Sequence, residues 1–438
     1  MERIFEYKSV SLNQIGADWA ETISFYRFLN NRRVKLAQVI ENQIQRHSLN
    51  EVCGHVLAIS DTTSINLERH LGRLKAEGLG YIGGGAGKKI GFHLHPTVVL
   101  NAENFQILGL SSIQVWVRAE VTKERKGKYK KLPIEEKESN KWLQAATESK
   151  QSLREAQIIT MIGDRESDVY EEFARVPDEQ TQLLIRSCQN RRLADGGSLY
   201  ERLAEQQVAS VYNLEIEADA RVGRERRVAE IEVRYVEIEI AAPLGSEKSE
   251  KPSVRMWAVE ARERNVPPKV EPIVWRLLTT HRIEKSEDAK RMISYYRQRW
   301  WIEQLFRVLK RQGLNIEASE LEQIESIKKL SILGLGVAVK TLQLKRSLEQ
   351  SSEGQRLEIV FNEEEIRCLE QLSKKLEGRT KRQQNPYQKQ ELGYGSWVIA
   401  RLGGWKGYES QRPPGVITIK RGLQRFETIF VGFSLTCV

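Results

Sequence analysis

The chain has 438 residues, of which 40% are hydrophobic and 29% are charged, and its formal net charge is +10. This length predicts two or three domains with sizeable buried cores. Because no apolar run reaches the roughly 18 residues that a membrane span needs, we expect no membrane partner and a cytoplasmic location. The four cysteines lack zinc-like spacing and are interpreted as reduced thiols, at Cys53, Cys188, Cys368 and Cys437.

The positive charge is concentrated at the C-terminal end of the chain. Between residues 371 and 438, 12 Lys or Arg stand against four Glu, so this segment alone carries a charge of +8. A basic segment of this kind favours binding to a polyanion. A solvated basic tail is the alternative interpretation.

The first part of the chain alternates between predicted helices and strands. Residues 1–50 and 140–155 have apolar residues at helical spacing. Residues 89–100 and 108–120 are rich in strand-forming residues with partial alternation. This mixture predicts an α/β fold class.

Two short apolar runs each end in an aspartate. HVLAIS at 55–60 precedes Asp61, and QIITMIG at 157–163 precedes Asp164. Both runs predict buried strands, and ligand-binding groups gather at strand ends in an open α/β sheet. The alternative is structural, because an aspartate in either position can cap a turn or the start of a helix.

From about residue 182 to residue 274 the pattern changes to alternating apolar and charged residues. This period of two predicts antiparallel strands with one face in water. WRLLTT at 275–280 predicts one more strand, and helical spacing returns from 286 to 313 and over 324–348. The order predicts an α/β protein with a mostly antiparallel β insertion before its last core helix.

The first of these later helices carries four notable residues at spacings of 3, 4 and 7, namely Tyr296, Arg299, Glu303 and Lys310. At about 100° per residue, these side chains fall within an arc of roughly 60° on one continuous helix. An aromatic ring, two cations and a carboxylate on one face suit a phosphate backbone and a metal ion. The alternative is that Glu303 only neutralises Arg299 or Arg307 within the helix.

The same four residues match a family signature. The run Tyr296-x2-Arg299-x3-Glu303-x6-Lys310 resembles that of the insertion-sequence-four family of DDE transposases, which includes the Tn-five transposase. DTTS at 61–64, GDRESD at 163–168 and WRLLT at 275–279 resemble further motifs of that family. The resemblance extends from about Phe25 to the end of the chain.

The resemblance implies an RNase H-like core interrupted by a β insertion, with a short helical N-terminal region and a basic helical C-terminal domain. The two parts of the core are expected at 51–181 and 275–370, with the insertion at 182–274. Residues 1–50 would form the short N-terminal DNA-binding region. Residues 371–438 would bind DNA and form a dimer.

The resemblance also implies a catalytic set. Asp61, Asp164 and Glu303 would form a carboxylate triad that holds two Mg²⁺ ions, with Mn²⁺ as a substitute. Cleavage of a phosphodiester needs an activated oxygen nucleophile and a stabilised leaving oxygen, and two such ions about 3.5–4 Å apart provide both.

DNA contacts follow from the same resemblance. Tyr296, Arg299 and Lys310 would hold phosphates of the cut DNA end. Trp275 would stack on a base turned out of the duplex, as aromatic rings do elsewhere. A place in the core is the alternative for Trp275.

The implied activity is cut-and-paste DNA transposition, in which the DNA end passes through a hairpin. Partners would be double-stranded DNA, as inverted-repeat ends and as target, and a second copy of the chain in a homodimeric synaptic complex on the bacterial nucleoid. Family members usually carry more than the two dozen or so residues that precede SFYRFLNN here. A transposase-derived DNA-binding inhibitor is therefore kept as an alternative. Another RNase H-like nuclease is a second alternative, because it would share the carboxylate triad.

Two further motifs are left out of the predicted site. GGGAGKK at 83–89 lacks the spacing and the Ser or Thr of a P-loop, and it predicts a hairpin turn. His93 and His95 point to one face of a strand, but no third ligand stands at suitable spacing. We therefore expect neither a nucleotide site nor a histidine metal site there.

Overall fold

The computed structural model describes residues 16, 18–75, 80–83, 89–118, 132–216, 225–244, 251–268, 270–349, 355–408 and 411–436. The chain folds into two compact units. We call residues 50–61 and 127–300 the sheet unit. Residues 1–49, 62–126 and 301–438 are the helical unit.

The strands within the described residues are numbered along the chain. They are β1 (His55–Ser60), β2 (Thr63–Asn66), β3 (Gly91–Asn101), β4 (Ile107–Trp116), β5 (Ile158–Gly163), β6 (Thr181–Arg186), β7 (Ser210–Ile216), β8 (Arg227–Ala241), β9 (Ser253–Arg264) and β10 (Val274–Thr279). β2, β3 and β4 belong to the helical unit, and the others belong to the sheet unit.

The α-helices within the described residues are numbered in the same way. They are α1 (Trp19–Asn30), α2 (Leu36–Gln45), α3 (Asn140–Ser152), α4 (Tyr170–Arg175), α5 (Leu199–Ala204), α6 (Ser286–Arg297), α7 (Trp300–Arg307), α8 (Ile324–Arg346), α9 (Glu363–Leu376), α10 (Leu392–Leu402) and α11 (Val416–Thr436). A π-helical turn follows α7 at Val308–Gln312. None of these helices in the described part of the chain is long and apolar enough to cross a membrane.

The strands of the sheet unit lie side by side in the order β1-β5-β6-β10-β9-β8-β7. β1, β5 and β6 are parallel, and the neighbours from β6 to β10 and onward to β7 are antiparallel. β1 and β5 are continuous apolar runs that are buried along nearly their whole length, as is typical of parallel strands covered on both faces. β8 alternates instead, with buried residues between more exposed ones over much of its length.

Helix α6 packs on the antiparallel part of this sheet. It buries Ala289, Met292 and Ile293, a helical spacing of three and four residues, and it contacts β8, β9 and β10. Helix α3 lies against β1. These helices cover the sheet and leave the carboxyl ends of β1, β5 and β6 to carry polar residues.

The helical unit is organised around α8. This helix is buried along most of its 23 residues and contacts α1, α2, β4 and α11. Lys329 of α8 is buried, and its Nζ donates to the carbonyls of Leu29 at 2.9 Å and Asn31 at 3.0 Å. A cation at these carbonyls stabilises the C-terminal end of α1, because the last carbonyls of a helix have no partner within it. β2 and β4 pair antiparallel on either side of β3.

The structure confirms the strands expected around 55–60, 89–100, 108–120, 157–163 and 275–280. It also shows a strand pairing that the period-two pattern did not predict. β6 pairs parallel with β5, so the expected boundary between 181 and 182 falls inside a strand that continues the parallel set.

Several sequence predictions concern residues outside the described ranges. The hairpin turn expected at 83–89 depends on residues 84–88, and the first 15 residues of the expected N-terminal region are also outside. Cys53, Cys188 and Cys368 form no disulfide among the described residues, and Cys437 lies beyond them.

Candidate functional site

Asp61 and Asp164 follow two adjacent parallel strands of the sheet unit. β1 pairs with β5 so that Ile59 is opposite Ile162, the last pair of this register, and Asp61 and Asp164 each follow two residues later. Neighbouring strands lie about 4.8 Å apart, so the two carboxylates leave neighbouring backbones at one edge of the sheet. The fold therefore brings together two aspartates that are distant in sequence.

Asp164 begins the turn that follows β5. Its Oδ1 accepts a hydrogen bond from the Glu166 backbone N–H at 2.9 Å, and its carbonyl accepts one from the Ser167 N–H at 3.1 Å. The tight turn requires Gly163, because a Cβ at that position would lie 2.3 Å from Ser167 Oγ. The structural interpretation of Asp164 as a cap is confirmed, and the cap also fixes the direction of its carboxylate.

Asp61 forms an ion pair with Arg299 of the same unit. Arg299 Nη1 lies 2.7 Å from Asp61 Oδ2, and the two side chains are 20% and 19% exposed. A charge-assisted hydrogen bond of this length is strong when it is partly shielded from water. The family resemblance implied separate roles for these two residues, as a metal ligand and a phosphate ligand, and the structure places them in contact.

Sequence reasoning missed Arg186. β5 pairs with β6 so that Gly163 is opposite Ile185, and the next residue pair in this register is Asp164 and Arg186. Arg186 is half-buried and donates to the carbonyl of Val274 at 3.3 Å. The apolar run QLLIR, which ends in a charged residue as the runs before Asp61 and Asp164 do, was the available signal.

Tyr296 lies in the same neighbourhood. Its ring is 5% exposed. Burial raises the pKa of Tyr296 above its usual value, and Asp164 adds to the increase. The positive charges of Arg299 and Arg186 act in the opposite direction. The phenol is therefore a neutral donor that lies within the electrostatic field of the strand-end residues.

Trp275 contacts Tyr296 edge to face. The two ring centroids are 5.9 Å apart and the planes are inclined by 63°. Trp275 lies on β10 opposite Ala261, and its side chain is half-buried. It is therefore partly accessible and not enclosed like a core tryptophan such as Trp397, which is 1% exposed. We call Asp61, Asp164, Arg186, Trp275, Tyr296 and Arg299 the strand-end cluster.

The other two predicted residues belong to the helical unit. Glu303 is half-buried on α7, and Lys310 is in the π-helical turn. Lys310 Nζ donates to the carbonyl of Ser64 at 2.7 Å and lies 3.2 Å from Glu317 Oε1. The lysine expected to hold phosphate is thus engaged by a carbonyl and a carboxylate of its own unit.

The prediction that the four signature residues share one face of a continuous helix is wrong. α6 ends at Arg297, and the N–H groups of Gln298 and Arg299 bond to carbonyls three residues back instead of four. α7 then begins at Trp300, and the π-helical turn changes the spacing again before Lys310. The arc calculation therefore does not apply across this segment.

The cause of the break is a change in the phase of the apolar residues. The buried positions of α6 include 289, 292, 293 and 296, which a straight helix would continue at about 300 and 303. The buried positions of α7 are instead 301, 302, 304 and 305. Trp301 lies beneath Arg346, with 4.8 Å between guanidinium and ring. The chain therefore reorients between Tyr296 and Trp301 to bury a different face.

The two histidines of β3 contact the DTTS motif within the helical unit. His95 Nδ1 is 2.9 Å from the Thr62 hydroxyl, and His93 Nδ1 is 3.1 Å from the Ser64 hydroxyl. The His93 ring also stacks on Trp116 at a centroid distance of 5.2 Å. These contacts give both rings a structural role that holds the segment after Asp61.

Divalent cations suit the strand-end carboxylates. Carboxylate oxygens are hard ligands of the type that Mg²⁺ and Mn²⁺ prefer. At present the positive charge beside Asp61 is the guanidinium of Arg299. Within neither unit do the described residues include three or more His, Cys, Asp or Glu grouped to hold a metal ion. Asp61 and Asp164 come from the sheet unit and Glu303 from the helical unit.

One solved structure to which the chain is similar is a piggyBac transposase in a synaptic complex with hairpin DNA, determined by cryo-electron microscopy. The TM-score is 0.38 and the sequence identity is 10%. The match covers 95% of this chain and 61% of the other, so the present chain spans about three-fifths of the length of that transposase.

A family comparison gives a more specific result. The family described as "transposase DDE domain" matches residues 113–339. The matched segment includes Asp164, Arg186 and Glu303 and begins after Asp61. Since it covers more than half of the 438 residues, the chain belongs to the family of proteins with a transposase DDE domain.

Proposed function

We propose that this chain is a DNA transposase that cleaves insertion-sequence ends and joins them to target DNA. Asp61, Asp164 and Glu303 would be its catalytic carboxylates, and they would hold two Mg²⁺ ions, with Mn²⁺ as a substitute. When bound, the two ions would activate the attacking oxygen and stabilise the leaving oxygen of the phosphodiester.

The parallel register of β1 and β5 is the observation that carries this proposal. Because its last pair is Ile59 and Ile162, Asp61 and Asp164 each leave the sheet two residues later, at the same edge. Capping explains the orientation of Asp164, but it does not explain why a second carboxylate and an arginine follow the neighbouring strands at the same level. Two carboxylates beside cations suit a metal ion and a phosphate together.

The remaining residues of the strand-end cluster would bind the DNA end. Arg299 and Arg186 would each supply a guanidinium, which matches the two oxygens of a phosphate. The Tyr296 hydroxyl would donate to the same phosphate group, and Lys310 of the helical unit would add a further cation. Trp275 would present its accessible face to a base turned out of the duplex.

We also propose a finer assignment of the fold. The parallel strands and Glu303 would belong to an RNase H-like core, with residues 182–274 as a β insertion. Residues 371–438, which carry a charge of +8, would bind DNA and form the dimer. On this view the chain belongs to the insertion-sequence-four family and resembles the Tn-five transposase.

The proposed substrates are the inverted-repeat ends of a mobile element and a target duplex. A homodimer would hold two ends in a synaptic complex, and each end would be released through a hairpin intermediate. A dimer is suited to this task because both ends must be cut and joined in one assembly. The DNA that flanks the gene should contain the short inverted repeats.

Cleavage of duplexes with that flanking sequence tests the proposal. The full chain should cut them in Mg²⁺ or Mn²⁺, and Asp164→Asn should not, although it should still bind DNA. Calcium should support binding but little cleavage, because its larger and looser coordination sphere positions the reacting oxygens poorly. Asp195→Asn is the matched control, since Asp195 is an exposed aspartate of the same unit that pairs with Arg202. Cleavage by Asp164→Asn at the wild-type rate would overturn the catalytic assignment.

A further inference from the structure

The turn that begins at Asp164 is tied down along its length. The Glu166 N–H bonds to Asp164, and Ser167 Oγ donates to the buried carboxyl of Glu172 at 2.7 Å. Asp168 is buried and accepts hydrogen bonds from the N–H groups of Cys188 at 2.8 Å and Gln189 at 3.1 Å, and it pairs with Arg191. One further contact holds the Glu166 side chain, and it comes from helix α3, which lies outside the turn.

That attachment is made by Lys141. Its Nζ lies 2.9 Å from Glu166 Oε2, and its side chain is 7% exposed whereas that of Glu166 is 67% exposed. An ammonium group is strongly hydrated, so its burial has a desolvation cost that a surface ion pair would avoid. The Lys141–Glu166 pair therefore differs from an ion pair between two exposed side chains, in which both charges remain hydrated.

The position of Lys141 in its helix is also unfavourable. It is the second residue of α3, which begins at Asn140 and has no acidic residue in its first turn. A cation at a helix N-terminus is disfavoured by the helix dipole. Desolvation and the dipole both oppose a lysine at this position, and the ion pair with Glu166 helps to offset them, as does the Trp142 ring 5.4 Å from Lys141 Nζ.

We propose that Lys141 is a positioning residue for Asp164. Its ion pair holds Glu166 so that the Glu166 N–H stays directed at Asp164 Oδ1, and the carboxylate keeps one orientation toward the sheet edge. This inference rests on the proposed role of Asp164 as a metal ligand. Groups that orient a metal-binding carboxylate commonly change metal affinity or activity by about 10–100-fold when they are removed.

Lys141→Met tests the proposal in the full-length protein, because it keeps most of the apolar stem and removes the charge. Hydrogen–deuterium exchange of residues 163–168 should be about tenfold faster, since the Glu166 N–H is the local donor. The Mn²⁺ concentration that gives half-maximal DNA cleavage should rise about tenfold. The KM for DNA should stay unchanged, because Lys141 lies outside the proposed DNA contacts.

The matched control is Lys150→Met. Lys150 is on the same helix and forms an ion pair with Asp178 at 2.6 Å. It should lower thermal stability to a similar extent, but it should leave both the exchange of residues 163–168 and the Mn²⁺ requirement unchanged. A purely structural role of Lys141 would give the same profile as Lys150.

Two further variants cover the case in which Lys141→Met does not fold. Lys141→Arg should restore the wild-type Mn²⁺ requirement. Glu166→Gln removes the charge of the exposed partner while its amide oxygen can still accept from Lys141, so it should reproduce the metal defect, and thermal unfolding measures the accompanying loss of stability. Where Lys141→Met folds, a double variant with Glu166→Gln should be no worse than either single variant, since both remove one interaction.

A wild-type exchange rate or a wild-type Mn²⁺ requirement in Glu166→Gln would overturn the proposal. The proposed function fails separately, and it does so if Asp164→Asn still cleaves DNA. A dead Asp164→Asn together with an unaffected Glu166→Gln would therefore reject Lys141 as a positioning residue while the catalytic role of Asp164 stands.

Discussion

The strand-end cluster of the sheet unit and the Glu303–Lys310 segment of the helical unit organise polar residues in different ways. In the sheet unit, strand register aligns Asp61, Asp164 and Arg186 although they are far apart in the chain. In the helical unit, Glu303 and Lys310 are close in sequence but are separated by a change from α-helical to π-helical geometry. Register between buried parallel strands is thus a firmer guide to proximity than spacing along a presumed helix.

The two regions also share a feature. In each, a cation expected to bind phosphate is paired with a carboxylate of its own unit. Arg299 pairs with Asp61 at 2.7 Å, and Lys310 lies 3.2 Å from Glu317. Under the proposed function, DNA binding would exchange an internal carboxylate for a phosphate in each unit, and metal ions at Asp61 would favour that exchange.

The largest effect is expected from removing one carboxylate in each region. Asp61→Asn and Glu303→Gln should each reduce DNA cleavage by roughly a thousandfold or more, because groups that act as a unit lose most of their effect together. Cleavage kinetics in Mg²⁺ measure this loss, and a binding assay should show that DNA affinity is largely kept.

Those two variants also probe whether the regions act together. If both are catalytic, the double variant should be no slower than either single variant, because the function is already lost. A Glu303→Gln protein that cuts DNA at the wild-type rate would confine the chemistry to the strand-end cluster. Thermal unfolding of each variant serves as the folding control.

The sequence predicted the two strands that precede Asp61 and Asp164 because the signals were local. Each strand is an apolar run of about six residues, and each run stops at its aspartate. Arg186 was missed because the change to period-two alternation was placed at residue 182, inside β6. β6 pairs parallel with β5 and antiparallel with β10. Its sequence therefore has features of both the continuous apolar runs and the alternating strands, and the residue pattern does not show where the antiparallel region begins.

The helical segment was predicted less well, for a tertiary reason. The segment from 286 to 312 contains neither Gly nor Pro, so no helix-breaking residue marks the turn at Gln298 and Arg299. The break follows from the shift in buried positions between Tyr296 and Trp301. That shift can be read from the sequence only by testing the phase of the apolar residues on both sides.

The next prediction concerns how the free energy of unfolding depends on pH through Glu172, which accepts a hydrogen bond from the turn after Asp164. Glu172 is fully buried, and burial raises its pKa to about 8, with Asp168 adding to the increase. Its folded-state pKa thus lies above its ordinary value of 4.5, so the stability that it contributes is present below pH 4.5 and is lost as pH rises toward 8. The free energy of unfolding should fall by at most about 1.4 kcal/mol per pH unit in this window.

Glu172→Gln should remove this dependence. The amide keeps the volume and can still accept the hydrogen bond from Ser167, but it does not titrate. Denaturant unfolding at several pH values between 5 and 8 measures the slope. An equal slope in the variant and the wild type would show that Glu172 is not the group responsible.

Trp275 gives a smaller, step-specific effect. Trp275→Ala should leave the first nick nearly unchanged and slow hairpin formation by roughly tenfold, because stacking on a flipped base is worth about 1–3 kcal/mol and 1.4 kcal/mol is one decade in rate. An abasic site at the flipped position should reduce the defect. The two steps can be followed on a labelled duplex by gel electrophoresis.

Trp257→Ala is the matched control for that experiment. Trp257 lies on the adjacent strand β9, is also half-buried and contacts Tyr235 at a centroid distance of 6.4 Å. It should weaken folding without changing the ratio of the two steps. Equal slowing of nicking and hairpin formation by Trp275→Ala would assign Trp275 to packing instead of base stacking.

The smallest effect is expected in the helical unit, where Glu317 would compete with a DNA phosphate for Lys310 under the proposed function. Partly exposed ion pairs are usually worth about 0–1 kcal/mol, so Glu317→Gln should raise DNA affinity by no more than about fivefold. The amide oxygen can keep the hydrogen bond from the Asn66 N–H, now 3.0 Å from Glu317 Oε1, which should preserve the local fold. If Lys310 gains a phosphate contact, the salt slope of binding should increase by about 0.9.

Net charge must be separated from release of Lys310, because Glu317→Gln also removes one negative charge. Glu322→Gln removes the same charge from an exposed pair with Lys75 in the same unit, at 3.5 Å, and should leave the salt slope unchanged. Combining Glu317→Gln with Lys310→Gln should abolish the gain in affinity, since no cation is then released. Equal gains from Glu317→Gln and Glu322→Gln would mean that overall charge alone is responsible, and that Lys310 is held by its own unit for structural reasons.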